Sequence, residues 1–377
     1  MSEIKVDTVV DAAGTGKPNF SNGVTMNGAA LSTLNLGEYT ASSSEPSSPE
    51  NGSIWWDTTN EKIFVYIAGE WKETIIIPPP AWFGARGLFF GGDDNGDAHG
   101  LNEIDYFAID TAGNATDFGN MSGNSYKPTA CSSGSRAVTS RGFTGFGGSN
   151  IIEYVTTSTT GNVTDFGDLT STTRGGGACS DASRGLFWAG ERNIIDYITI
   201  DTTGNATDFG DDGSSSGGPD SLECASNATY GFRMGGSDGG GALNDIKYVT
   251  IQTLGNAQDV GDLTLGVTNL GASEDRTRAV VFGGYRSDTH QNTIQYFATT
   301  GTSGNASDFG DLTTASHSGA ACSNGTKAIH ALGTTGANNS PTNRIDQVTI
   351  QTTANSTDFG DLIRSKMALA SASGSAS

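Results

Sequence analysis

One short phrase recurs six times along this chain and constrains its architecture more than any other feature. It reads Asp117-Phe118-Gly119-Asn120 first, then Asp-Phe-Gly-Asp from Asp165, Asp208, Asp308 and Asp358, with Asp259-Val260-Gly261-Asp262 as a variant. The leading aspartates are spaced by 48, 43, 51, 49 and 50 residues. A period of that size, filled with short strand-like runs, is the pattern of a β-propeller with one four-stranded blade per repeat. The expectation is an all-β chain whose residues 84–377 form a six-bladed propeller.

The third repeat shows the unit best. Residues 175–180 read as a first strand of small residues and 184–190 as a second. Residues 193–200, rich in β-branched and aromatic side chains, read as a third. Thr203-Gly204-Asn205 supplies a hairpin turn, and 206–211 the fourth strand. The turn recurs as Gly113-Asn114, Gly161-Asn162, Gly255-Asn256 and Gly304-Asn305, with Ala354-Asn355 in the sixth copy. The first repeat opens directly at its second strand, Arg86 to Gly92. The missing strand is found at the far end, where Met367-Ala368-Leu369-Ala370-Ser371 follows the sixth phrase. A C-terminal strand beside residues 86–90 would close the ring and remove its open edges.

These residues resemble kelch repeats. That family ends its second strand with a glycine pair, matched by Gly91-Gly92, Gly147-Gly148, Gly235-Gly236 and Gly283-Gly284. Its third-strand tyrosine is matched by Tyr106, Tyr154, Tyr197, Tyr248 and Tyr296, while its fourth-strand tryptophan is replaced by Phe118, Phe166, Phe209, Val260, Phe309 and Phe359. The likeness implies fold and leaves activity open.

Residues 1–83 are different in kind. They hold Trp55, Trp56, Trp71 and Trp82, four of the five tryptophans. Residues 51–66 read as two strands around an Asp57-Thr58-Thr59-Asn60 turn, closed by Gly69-Glu70-Trp71. This resembles a small hairpin module of phage tail fibres, and the opening MSEIKVDTVV with residues 16–21 looks like the virion-proximal end of fibres from marine phages. The expected organisation is an attachment or oligomerisation segment over 1–40, a β-hairpin module with a Pro-rich linker over 41–83, and the propeller over 84–377. Residues 42–49 are expected to form a polar linker. The resemblance implies a tail fibre or tail appendage in the virion, made in a host cytoplasm. It also implies a homotrimer whose N-terminal region meets other tail or baseplate proteins.

Composition narrows the partners. Lys and Arg number 20 against 41 for Asp and Glu, a formal net charge of −21, which repels phosphate backbones and argues against nucleic acid. No apolar stretch approaches the roughly 18 residues of a membrane span, and no secretory signal is visible at the start.

In a four-stranded blade the second-to-third loops share one side with the blade-to-blade connections. The long segments 93–101, 237–242, 285–292, 334–342 and 212–221 all fall there, and the stem would enter from the opposite side. Variable loops on a rigid scaffold are where recognition sits. The receptor-binding candidates are therefore Asp93, Asp94, Asp97, His99, Asp238, Tyr285, Arg286, Asp288, His290, Asn338 and Asn339, facing a host surface glycan or protein. Other chemistry is poorly supported. Cys131, Cys179, Cys224 and Cys322 fall at one place in their first strands, too far apart for disulfides, and read as small core residues. Of the four histidines, His99, His290 and His317 fall on loops without the spacing of a metal or catalytic site. Asp93-Asp94-Asn95-Gly96-Asp97 begins like a calcium loop, but Ile104 stands where the closing acid belongs. No cofactor and no catalytic residue is expected. The alternatives are a capsid- or tail-attached decoration and, in another class, a carbohydrate-active or copper enzyme.

Overall fold

The computed structural model describes residues 24–26 and 29–31, 40–73 except 58, 60, 61 and 68, and 83–376 except 144, 146, 215, 216, 240 and 337–339. Among the described residues every regular element is a β-strand. The chain divides into two compact units, Met1–Pro79 and Pro80–Ser377.

In the first unit Ile54–Asp57, Lys62–Ile67 and Glu70–Glu73 form an antiparallel meander. Its packing is aromatic: Trp55 stacks on Phe64 with ring centroids 4.9 Å apart, and Trp71 meets it edge-on at 5.8 Å. Asp57 accepts the Thr59 amide at 2.9 Å, the Asx turn that reverses the chain. Thr40–Ser42 adds a fourth strand, parallel to Ile54–Asp57. Ser42, expected to open a linker, thus belongs to the sheet, and its carbonyl accepts the Trp55 indole N–H at 3.1 Å.

The second unit consists of four-stranded antiparallel sheets. Sheet I joins Ala370–Gly374 to Arg86–Phe90, Leu101–Ala108 and Thr116–Ser125. Sheet II holds Thr129–Ser132, Arg136–Ser140, Ser149–Thr156 and Thr164–Thr173. Sheet III holds Gly177–Ser180, Arg184–Trp188, Ile195–Thr199 and Thr207–Gly210. Sheet IV holds Glu223–Ser226, Tyr230–Met234, Asp245–Thr250 and Gln258–Asp262. In sheet V, Gly271–Glu274, Arg278–Phe282, Thr289–Ala298 and Ser307–His317 pair in that order. Sheet VI repeats it with Ala320–Ser323, Lys327–Ala331, Ser340–Thr349 and Thr357–Lys366. The short strand Thr334–Thr335 pairs with both and makes sheets V and VI continuous. The first strands lie side by side in the order II, III, IV, V, VI, I, and that of sheet I returns to that of sheet II.

Each second strand has one half-buried leading residue followed by four buried ones, the run expected of a strand covered on both faces. The leading residue has a task that the sequence does not announce. Arg86, Arg136, Arg184 and Arg278 lie 4.2–4.8 Å over the third-strand tyrosines Tyr106, Tyr154, Tyr197 and Tyr296. Their guanidiniums then donate to a carbonyl of the following sheet: to Thr157, Ile200, Ile251 and Ile350 respectively. Lys327 of sheet VI donates to Asp110 of sheet I at 3.1 Å, so the series runs past the chain's end and back to its beginning. Sheet IV carries Tyr230 instead, and there Asn227 donates to the Thr299 carbonyl.

The recurrent phrase itself is a second lock. The amides of Asn120, Asp168, Asp211, Asp262, Asp311 and Asp361 donate at 3.0–3.1 Å to the turn asparagines Asn162, Asn205, Asn256, Asn305, Asn355 and Asn114, each in the next sheet. The glycine before them, Gly310 for example at φ +149°, is required because a Cβ would strike the neighbouring turn's carbonyl. A third lock uses the third strands: Glu153, Asp196, Gln295 and Asp346 accept from Ser122, Thr170, Thr264 and Thr313 of the preceding sheet.

Two sequence readings need correction here. Register places Cys131, Cys179 and Cys322 opposite the third residue of the second strand, but Cys224 opposite the fourth, Arg233; Ala225 holds the equivalent place. All four thiols are nonetheless buried and free, and burial pushes their pKa values up, away from reactive thiolate. The glycine pair of sheet II is not Gly147-Gly148. The Ser149 amide donates to the Gly142 carbonyl as Leu101 does to Gly92, so Arg141-Gly142 takes the pair's place and Gly147-Gly148 lies in the loop beyond.

Candidate functional site

The connections between sheets and the second-to-third loops lie together on one side. Isolated bridges tie Met367 to Asp93, Tyr126 to Phe143, Asp220 to Ser237 and Thr268 to Tyr285, each joining a connection to the loop of the sheet that follows. Nearer the first strands the connections bond to one another. The amide of Lys127 donates to Ala368, Ala368 to Ser318, Ser318 to Asn269, Asn269 to Ser221 and Ser221 to Gly175, at 2.6–3.0 Å. All six residues have positive φ, from 53° to 66°. This chain of left-handed residues gives the side a fixed floor beneath variable loops.

On the loop of sheet I, Asp93 is 1 % exposed, and its carboxylate accepts the amides of Asn95 and Ala98 at 3.3 and 2.9 Å. Asn95 accepts from Asp97 and Asp97 from His99 in the same way. The alternating oxygen side chains that resemble a calcium loop thus form a ladder of Asx turns. Asp93 is a buried organiser of the loop and cannot present itself to a receptor; Asp94, Asp97 and His99 are exposed. Asp94 is held by Arg364 at 3.1 Å. His99 stands at a cleft of about 530 Å³ lined, among the described residues, also by Asn124, Arg141, Gly148, Ser149, Asn150 and Ile151.

On sheet V the segment read as a loop is a hairpin. Tyr285-Arg286 pairs with Thr289-His290 through Ser287 and Asp288, both at positive φ, 47° and 59°, the conformation a two-residue type I′ turn requires. It carries Arg286 and Asp288 into solvent and gathers Tyr285, His290 and His317. The two imidazoles stack with centroids 4.6 Å apart, and Tyr285 meets His317 at 4.7 Å. Partial burial lowers the pKa of His290. Asp238 is exposed on the separate loop of sheet IV, and Asn338 and Asn339 lie outside the described residues. The candidates therefore fall into separate groups rather than one constellation.

Sequence reading missed the axial space between the first strands. It is a narrow void of about 60 Å³ lined by Ala130, Ala178, Cys224, Ala272, Ala321 and Ser371, with Glu223 and Glu274 on its wall. A void that size cannot hydrate a carboxylate as bulk water does, and desolvation raises the pKa of Glu223 to about 8, with Glu274 adding to the effect. His330 is 1 % exposed and stacked on Phe282 at 4.9 Å, and burial lowers its pKa to about 3. The two oppose each other in pH dependence. Folded Glu223 keeps its proton to about pH 8 while the unfolded chain releases it near 4.5, so its contribution is full below pH 4.5 and is lost as pH rises. Folded His330 stays neutral to about pH 3 while the unfolded chain protonates near 6.5, so its contribution is full above pH 6.5 and is lost as pH falls. Urea unfolding should find Glu223→Gln more stable than wild type by about 2–4 kcal/mol at pH 8 and little changed at pH 5. His330→Phe should flatten the loss between pH 6.5 and 4.

Among the described residues no group of three or more His, Cys, Asp or Glu is placed to hold a metal ion. No helix among them is long and apolar enough to cross a membrane. Set against known proteins, the chain matches no family model and no curated sequence, so the functional reading rests on its own residues.

Proposed function

We propose that residues 84–377 are a six-bladed, kelch-like β-propeller closed by the C-terminal strand, and that the protein is a tail fibre or tail appendage of a tailed-phage virion. Its work is binding. The N-terminal unit serves assembly into a homotrimer and attachment to other tail proteins, and the loop side of the propeller holds a host surface glycan or protein. The observation that carries this reading is the division of labour in the second unit. The locks between sheets repeat around the ring almost residue for residue, whereas the loop side differs at every sheet and there opens the cleft beside His99. Constant framework with varied loops is the organisation of a recognition scaffold. Three copies on one stem would convert weak single contacts into firm attachment.

Two measurements test it on the full chain. Sedimentation should give the mass of three copies. Fluorescently labelled protein should bind saturably to cells of marine bacteria or to an array of their surface polysaccharides, and binding should weaken when Arg286 and Asp288 are replaced by alanine or the cleft is blocked. A monomer that binds none of these surfaces would refute the reading.

A further inference from the structure

We infer that the cleft over sheets I and II is a subsite for an acidic saccharide, with Arg141 as the anchor for its carboxylate or sulfate. This deepens the receptor reading above and rests on it.

Arg141 marks a break in the repeat. By register Arg141 stands where Gly91, Gly235 and Gly283 stand in sheets I, IV and V: each of these amides donates to a carbonyl at the start of its third strand, Glu103, Asp245 and Thr293, as Arg141 does to Ile151. Those glycines have φ of 59°, 57° and 54°. A Cβ on them would come within 2.9, 2.5 and 2.7 Å of the carbonyls of Ser125, Val267 and Ser316. The position is thus closed to side chains in three sheets; sheets III and VI place the buried apolar residues Ala189 and Leu332 there, and sheet II alone places a cation there.

A second break, in the neighbouring sheet, makes room for that side chain. Gly123 follows the aspartate of its phrase by the same interval as Ser171, Thr314 and Arg364 follow theirs. A Cβ at Gly123 would collide with the Arg141 guanidinium. Two independent departures from the repeat, an arginine where the other sheets have glycine, alanine or leucine and a glycine where they have a larger residue, converge on one guanidinium.

That guanidinium is underused. Among the described residues its Nε is buried without a partner, and its one hydrogen bond is a long 3.5 Å contact from Nη1 to Ser122 Oγ. The Ser122 hydroxyl is itself given to Glu153, which is 1 % exposed and satisfied by that bond and the Ser122 amide. Among the described residues no carboxylate pairs with Arg141, in a protein whose acids outnumber its bases by about two to one. A guanidinium in the wall of an open cleft suits a carboxylate or sulfate. The remaining wall supplies the amides of Asn124 and Asn150 and the Ser149 hydroxyl, which suit sugar hydroxyls. Its volume of about 530 Å³ lies in the range of about 300–1,000 Å³ usual for small-ligand sites. Asp97, two residues before His99, is engaged with it through the His99 amide at 2.9 Å and the ring Nε2 at 3.8 Å. The net charge of −21 disfavours long polyanions, so a short saccharide with few charged groups fits better than nucleic acid.

The test is calorimetric titration of the full-length protein with a trisaccharide of hexuronic acids and with the same trisaccharide after its carboxylates are reduced to alcohols. Wild type should bind the acidic form at least tenfold more tightly. Arg141→Gly, which restores the residue of sheets I, IV and V, should abolish that preference with an unchanged melting temperature. Gly123→Ser should do the same by displacing the guanidinium while keeping the charge. Equal affinity of wild type for both sugars, binding of neither, or an Arg141→Gly variant that keeps the preference would each overturn the inference. If labelled protein still attaches to cells in those cases, the receptor reading stands and only the subsite falls.

Discussion

A chain ending at Leu369 is expected to lose cooperative folding of its second unit. Ala370–Gly374 is the first strand of sheet I, paired from Ala370 with Phe90 to Gly374 with Arg86. Ala370 and Ala372, 3 % and 6 % exposed, pack with Leu88, Phe90, Ile104 and Phe118. The Ser371 hydroxyl donates to the Ala321 carbonyl at 2.8 Å, joining sheet I to sheet VI. At about 1 kcal/mol net per hydrogen bond, plus the apolar burial, the loss rivals a whole domain's stability of about 5–15 kcal/mol. The truncation also exposes the edge of Arg86–Phe90, which can then pair between molecules. Thermal unfolding should show no single transition, or one lowered by more than about 10 °C, and size exclusion should show association. A chain ending at Ser375, which keeps the strand, should melt like wild type; equal melting of the shorter chain would show that the strand is dispensable.

Breaking the ion pair between Asp105 and Lys366 should cost about 3–5 kcal/mol. Both side chains are fully buried, 3.0 Å apart, and they join the third strand of sheet I to the fourth strand of sheet VI. Asp105→Ala leaves an ammonium group in the interior with no counter-charge, and Lys366→Met leaves the carboxylate with only the Ile363 amide, at 3.3 Å. The desolvation cost disappears when both charges go, so Asp105→Leu with Lys366→Met should lie within about 1–2 kcal/mol of wild type. Urea unfolding of the four proteins measures this cycle. Additive losses in the double variant would mean that the two charges do not act as a pair.

Much of the fold was legible because its repeat is long and its punctuation is chemical. Gly113-Asn114 and its counterparts read as turns from glycine's freedom and asparagine's tolerance of positive φ, and the missing first strand of sheet I could be sought at the other end by counting. The purpose of those residues was not legible. The turn asparagines serve the preceding sheet of the series, about 40 residues away in most cases and 247 in the case of Asp361 and Asn114. No local rule names a partner at that distance. Nothing local in the sequence gives Arg86, Arg136, Arg184 and Arg278 their task, yet each lies over a tyrosine and is tied to another sheet.

The site was less legible than the fold. Asp93, Asn95 and Asp97 alternate as calcium ligands do, and only the buried carboxylate of Asp93 shows that their oxygens serve backbone amides. Gly147-Gly148 matches the glycine pair by residue type, but main-chain register gives the place to Arg141-Gly142 and puts that arginine in the wall of a cleft. By itself the sequence determined the all-β class, the number of repeats and the side on which the long loops fall, because period and turn chemistry are local. The tertiary structure alone decided which sheets grip one another, which acids are buried and which side chains meet in a cleft. Those properties belong to pairs of residues from different repeats, and the chain brings such pairs together only when the sheets pack.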